Sequence, residues 1–196
     1  MNKKIHPRGY WQADDINHYY DESFSIELNS IVSKYSSIVD FGCGNAGYAK
    51  YIYNNNKDTV VDAFDGNPNV KSLTGGFGKV LDLSWPFDLK RHYDVVICLE
   101  VAEHIPKKYE DIFLKNIINH CGKLLILSWA NVGQGGKGHV NEQDEQYVVN
   151  KISDRNFTLA TDLTYNLRKS ATICKWFKNT IMVFKNEKNN NKSIVL

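Results

Sequence analysis

Paired cysteines are missing from this chain. Cys43, Cys98, Cys121 and Cys174 form no C-x-x-C couple, which argues against a zinc site and reads as four reduced thiols of a cytosolic protein. Long apolar runs are missing too. No stretch approaches the length that spans a bilayer and the first residues carry no apolar leader core, so a soluble protein without membrane contact is expected. Charge of one sign is scarce: a formal net charge of +2 and a pI of about 8.2 give no electrostatic footprint for a nucleic-acid partner. There is no internal repeat. The 196 residues, 42% of them hydrophobic, suffice for one well-buried domain and not for two. That domain is expected over residues 1–185, with 1–22 as a candidate lid and the polar stretch 186–196 as a disordered tail.

What the chain does have is a glycine loop behind an apolar strand. Ile38-Val39-Asp40-Phe41 runs into Gly42-Cys43-Gly44-Asn45-Ala46-Gly47, a G-x-G-x-x-G spacing. Gly42 permits the tight turn, Gly44 a close approach of backbone to ligand, and Gly47 the packing of the next helix on the strand. Nicotinamide and flavin enzymes share this spacing, and Asp40 separates them from the present case. An acid two residues before the first glycine, where dinucleotide folds keep an apolar residue, repels a pyrophosphate and suits a cationic amino-acid moiety. S-adenosylmethionine (SAM), with its ammonium and sulfonium charges, is the expected ligand.

A second strand over 59–64 delivers Asp65 where a carboxylate accepts both ribose hydroxyls in nucleotide-binding α/β folds. Asp62, within the strand, ranks below it as a residue able to face solvent. Gly66-Asn67-Pro68 reads as a turn opening a helix, which adds Gly66 and Asn67 to the cofactor candidates. Asp82 follows a short strand at 79–81 and reaches the same sheet edge, to accept the adenine amine while Leu83 donates a backbone N–H; the alternative is a turn cap. Cys43 and Leu99 complete the expected cofactor wall. Helical spacing covers 23–35, 46–53 and 107–119, and 93–99 and 123–127 read as strands buried on both faces. Near the end, 157–163 and 180–184 read as a closing pair of strands with 165–178 as a long insertion between them.

Val39 to Gly47, Asp65, Asp82-Leu83 and the strand Asp94 to Glu100 together resemble the class I SAM-dependent methyltransferases, over roughly residues 23–185. The resemblance implies an α/β, Rossmann-like fold: a seven-stranded, mostly parallel sheet with helices on both faces and the last strand antiparallel. SAM would lie across the carboxyl ends of the strands.

Glu100-Val101-Ala102-Glu103-His104 begins where the fourth parallel strand ends, beside the expected methyl group. Two carboxylates and an imidazole in so few residues suit Mg²⁺ or Mn²⁺, with His139 of the loop Gly133–Glu142 as a further donor. The E-x-x-E-H pattern is similar to that of ubiquinone-pathway O-methyltransferases and small-RNA 2′-O-methyltransferases, which implies Glu100, Glu103 and His104 as ligands; His139 matches the latter by role alone. Read without a metal, His104 and His139 are bases or packing residues and the glutamates suit a helix N-terminus. With a metal, an acceptor diol loses a proton to a histidine, which makes Glu103, His104 and His139 the catalytic candidates. Tyr10, Trp11, Trp129 and Arg168 are the acceptor-pocket candidates; the aromatic stretch 10–21 could equally pack as a plain N-terminal segment. The glycine-rich loop resembles that of a methyltransferase branch associated with glycan modification. The expected activity is O-methylation of a sugar, glycan or other small vicinal diol. An RNA 2′-O-methyltransferase is second, and a silent SAM-fold partner protein or a nicotinamide oxidoreductase are the readings from other classes.

Overall fold

The computed structural model describes residues 4–13 and 18–188; residues 189–196, most of the expected tail, lie outside the described residues. A two-stranded antiparallel ribbon, β1 (Lys4–Ile5) and β2 (Trp11–Gln12), precedes helix α1 (Glu22–Val32). There follow β3 (Ser37–Phe41), α2 (Gly47–Asn55), β4 (Val60–Asp65), α3 (Val70–Leu73), β5 (Lys79–Val80) and β6 (Tyr93–Cys98). Short 3₁₀ turns at 102–104 and 107–109 lead into α4 (Glu110–Asn119) and β7 (Cys121–Ser128). The chain ends with α5 (Glu145–Ser153), β8 (Phe157–Leu159), α6 (Thr161–Ser170), α7 (Phe177–Thr180) and β9 (Ile181–Asn186).

Seven strands form one sheet in the order β5-β4-β3-β6-β7-β9-β8. The pairs from β5 to β7 are parallel, and β9, last in the chain, runs antiparallel between β7 and β8. Alternation along the strands explains why both faces are covered. Val96, Cys98, Leu125 and Leu127 pack towards α4 and α5, whereas Val95, Ile97, Leu124 and Ile126 pack towards α1 and α6. Runs apolar at every position belong to such a doubly buried sheet. Asp21 caps α1, accepting from the Phe24 N–H, and its other oxygen takes the N–H groups of Thr172, Ile173 and Cys174. One carboxylate thus ties the first helix to the segment before α7. Among the described residues no helix is long and apolar enough to cross a membrane, and all four cysteines are free and buried.

Two expectations change. The strand expected over 157–163 stops at Leu159, because Leu163 and Leu167, four residues apart, join one face of α6. The supposed insertion is therefore that helix plus the turn carrying Cys174 and Trp176. Helix α5 was not expected at all, although Val148 and Ile152 at i, i+4 spacing after Asp144 are its signal.

Candidate active site

All five parallel strands end at one edge of the sheet, the place where open α/β sheets bind ligands. The turn after β3 is tight because the Gly42 and Cys43 N–H groups both donate to the Phe64 carbonyl, at 2.7 and 3.0 Å. Gly42 and Gly44 take φ values of +83° and +55°, left-handed angles that strain any residue with a side chain. A Cβ on Gly44 would also overlap the His18 ring. Asp65, at the end of β4, links the two strand ends: its Oδ2 accepts the Gly44 N–H at 2.9 Å and its Oδ1 the Asn67 N–H at 2.8 Å.

These turns wall a cavity of about 970 Å³. Its lining includes Asp40, Gly42, Cys43, Gly44, Gly47, Asp65, Gly66, Asp82, Leu83 and Leu99 of the expected cofactor set. Burial, with the neighbouring charge of Asp65, pushes the Asp40 carboxyl up to about 7. Asp82 lines the cavity, and it also makes the turn cap that was the alternative reading: its Oδ1 accepts the Ser84 N–H and hydroxyl while its Oδ2 pairs with Arg8 Nε at 2.7 Å. An adenine amine would share that carboxylate with Arg8. Asn67 is fully buried and off the wall, where it holds the Ala13 carbonyl and the Asn69 N–H. Asp62 stays outside as well, held by Lys79, Arg91 and the Tyr93 hydroxyl. The glycine cradle, the ribose-side acid and a buried acid raised for want of a cation fit SAM.

The N-terminal ribbon lies across this edge. Tyr10 packs on Gly66, where a Cβ would overlap it, and Trp11 stands edge-on to His104 with ring centroids 5.9 Å apart. Tyr10, Trp11, Tyr19 and Trp176 form an aromatic rim. Arg8 and His18, both within the candidate lid 1–22, line the cavity without having been singled out as site residues, since an isolated arginine or histidine carries no spacing signal, and Trp176 comes from the supposed insertion.

His104 and His139 line the cavity, and the buried Glu103 lies behind them; the three each bring a ligand atom, all within 4.8 Å of one another. Glu103 is 0% exposed, and among the described residues neither of its oxygens makes a well-formed hydrogen bond, although the backbone N–H groups of Glu103 and Ala130 lie near enough to favour its anion in part. Burial, then the Glu100 charge, raises its carboxyl well above the ordinary range. His104 Nδ1 lies 3.1 Å from the Gly138 carbonyl and His139 Nδ1 lies 2.9 Å from Glu142 Oε1. Carbonyl and carboxylate oxygens only accept, so each Nδ1 carries the proton. In the neutral rings Nε2 is then bare. Burial pushes His104 down to about 4, so this ring is neutral at pH 7.

Three expected roles are corrected by position. Glu100 does not join the cluster: its φ of +56° breaks the backbone before the 3₁₀ turn, and its side chain accepts from the Ser128 hydroxyl at 2.8 Å. Trp129 is not in the acceptor pocket; it is 1% exposed, packs on Phe113 and Tyr147, and donates to the Asn141 carbonyl. Arg168 also lies off the cavity, holding the Ile181 carbonyl and Glu145 and so joining α6 to β9 and α5.

Comparison with known proteins matches residues 16–177 to a family described as a methyltransferase domain. No curated protein sequence matches. Among solved structures, magnesium protoporphyrin IX methyltransferase from Synechocystis PCC 6803 with bound SAM has a TM-score of 0.60 at 16% identity, over 85% of this chain and 77% of that one. The sugar N-methyltransferase KedS8 from Streptoalloteichus sp. ATCC 53650 gives 0.62 at 12% identity, covering 89% and 95%. The small RNA methyltransferase HEN1 gives 0.62 at 15% identity, over 90% of this chain and only 27% of that chain. At such identities the likeness is one of fold, and the family follows from the domain match: the chain belongs to the methyltransferase domain family, as a class I SAM-dependent methyltransferase.

Proposed function

We propose that this protein transfers the methyl group of SAM to a hydroxyl of a sugar or other small vicinal diol, with a divalent cation held by Glu103, His104 and His139. The observation that carries this reading is Glu103, a fully buried carboxyl without a well-formed hydrogen bond, grouped with two imidazoles whose Nδ1 protons are already engaged. A buried polar atom left unpaired costs about 1–3 kcal/mol, and a cation on the same three side chains removes that cost. Two nitrogens and one oxygen suit Mn²⁺ better than Mg²⁺, which prefers oxygen. His104, neutral with a pKa of about 4, is a ready ligand and a weak proton acceptor, which favours the ligand role over that of general base.

SAM supplies an activated methyl group. The cation supplies a Lewis acid that makes a neighbouring hydroxyl more acidic. The rest is positioning by the chain's own residues. Asp40 meets the cationic end of SAM and Asp65 its ribose, while the glycine loop lets the backbone approach. Tyr10, Trp11, Tyr19 and Trp176 offer flat faces to a sugar ring and keep water from it. The sugar N-methyltransferase KedS8 and the amino pentose methyltransferase CalS10, similar in fold to this chain, lend the sugar reading support by analogy.

The test is transfer from labelled SAM to a panel of sugars, catechols and RNA 3′ ends, in EDTA and after adding back Mn²⁺. Transfer to a sugar or diol oxygen, lost in EDTA and restored by Mn²⁺, is expected. Full turnover in EDTA would overturn the cation, and transfer confined to RNA or to amines would overturn the acceptor class.

A further inference from the structure

Residues 133–138 include four glycines, and this loop delivers His139 to the site. Such a backbone has little of its own to hold it: a Cβ at Gly133 or Gly135 would meet nothing within 4 Å. Besides the Gln134 N–H on the Asn131 carbonyl and the His104 Nδ1–H on the Gly138 carbonyl, one side chain binds it at three points. Glu142 accepts the Gly133 N–H on Oε2 at 2.8 Å, and the Gly135 N–H and His139 Nδ1 on Oε1 at 2.7 and 2.9 Å. The residues between are anchored as well, for the Val140 and Asn141 N–H groups both donate to the Glu103 backbone carbonyl, at 2.9 and 3.0 Å. Asn141 is held further by the buried Glu110. The base of the loop is therefore pinned to the turn that bears Glu103, and Glu142 folds the tip back over that base.

We infer that Glu142 is a positioning residue: it selects the Nδ1–H tautomer of His139 and holds the ring in place, which leaves Nε2 as the nitrogen with a free lone pair. The inference deepens the cation-site reading and rests on it for its purpose, but not for its geometry. An imidazole free in water favours the Nε2–H form, which has no lone pair at Nε2 for a cation to take. A carboxylate on Nδ1 reverses the preference and also keeps the ring from turning, as outer partners of metal-binding histidines do. Glu142 is not among the residues that line the cavity.

The tautomer is read without metal or turnover, by long-range ¹H–¹⁵N correlation on protein labelled at histidine, with His139→Gln assigning the signal. Wild type is expected to show Nδ1–H and a bare Nε2 at His139, and Glu142→Gln and Glu142→Ala to shift it towards Nε2–H. Calorimetric Mn²⁺ affinity is expected to fall about 10- to 100-fold in Glu142→Ala, with SAM affinity unchanged. An Nε2–H signal in the wild type, or a signal unmoved by both variants, overturns the role of Glu142 whatever Mn²⁺ does. A wild-type protein with the Nδ1–H signal and no Mn²⁺ binding supports the positioning role and refutes the cation instead. The wild-type spectrum decides the tautomer even where a variant fails to fold.

Discussion

On the proposed pairing of Asp40 with the cationic end of SAM, cofactor binding should release a proton. Its carboxyl is 4% exposed, and burial together with Asp65 raises it from 3.8 to about 7. Ionising it in the free protein therefore costs on the order of 4 kcal/mol relative to water, at about 1.4 kcal/mol per pH unit. The cationic tail of SAM offsets that cost by pairing with the anion, so the complex holds Asp40 ionised at a pH where the free protein holds it protonated. Affinity should then fall towards tenfold for each pH unit below 7, reaching a loss of about fiftyfold between pH 7 and pH 5. The sign for stability is the reverse. A raised carboxyl contributes fully below its ordinary value, and that contribution is lost as pH rises towards 7, so added SAM should protect the fold more at pH 7 than at pH 5. Titration calorimetry at pH 6 in two buffers of different ionisation enthalpy counts the protons, and close to one should be released. Asp40→Asn should bind SAM weakly at pH 7 and lose most of the pH slope, which separates Asp40 from the nearby Glu100, also raised to about 7 by burial. An Asp40→Asn protein that keeps the wild-type slope would refute the assignment.

Gly136→Ala should place its Cβ on the His139 ring, overlapping Nε2, at an exposed position whose backbone does not need glycine. The ring yields at little cost, so the melting temperature and SAM affinity should hold while Mn²⁺ affinity and turnover fall at least tenfold; unchanged Mn²⁺ affinity would count against His139 as a ligand. Asp21→Asn should leave one acceptor oxygen where there are two, so that the helix cap and the 172–174 amides can no longer both be served, costing about 2–4 kcal/mol and lowering the melting temperature by roughly 5–10 °C. Burial disfavours the Asp21 anion, but the backbone N–H groups override it and hold the carboxyl below 3.8, so its stabilisation is present above that pH and is lost as pH falls below it. A denaturant midpoint within 1 kcal/mol of wild type would show that the 172–174 turn stands without Asp21.

The cofactor end of this protein was legible in the sequence because its chemistry is local. A glycine loop, an acid two residues before it, and acids at the ends of the next two strands act through backbone turns a few residues long. Strand ends of a parallel sheet share one edge, so Asp40, Asp65 and Asp82 had to converge once the strands were read. Helix α5 was readable too, from Val148 and Ile152, and was passed over because the glycine loop before it drew the segment into a loop. The acceptor end was not legible in that way. Glu100 and Glu103 look equivalent in E-x-x-E-H, yet the left-handed backbone of Glu100 at the strand end sends its carboxylate to Ser128, while Glu103 turns into the interior beside His104 and His139. Trp129 follows a strand that ends at the cavity, but the Asn141 carbonyl and the rings of Phe113 and Tyr147 turn its side chain into the core. Periodicity and turn chemistry are properties of neighbours in the chain, and they were enough for the parallel strands, the glycine loop and the row of acids along the sheet edge. Which acid turned inward, which nitrogen of each histidine is engaged and that Glu142 holds the loop became visible on folding, because each depends on contacts between segments far apart in the chain or on a side chain's direction.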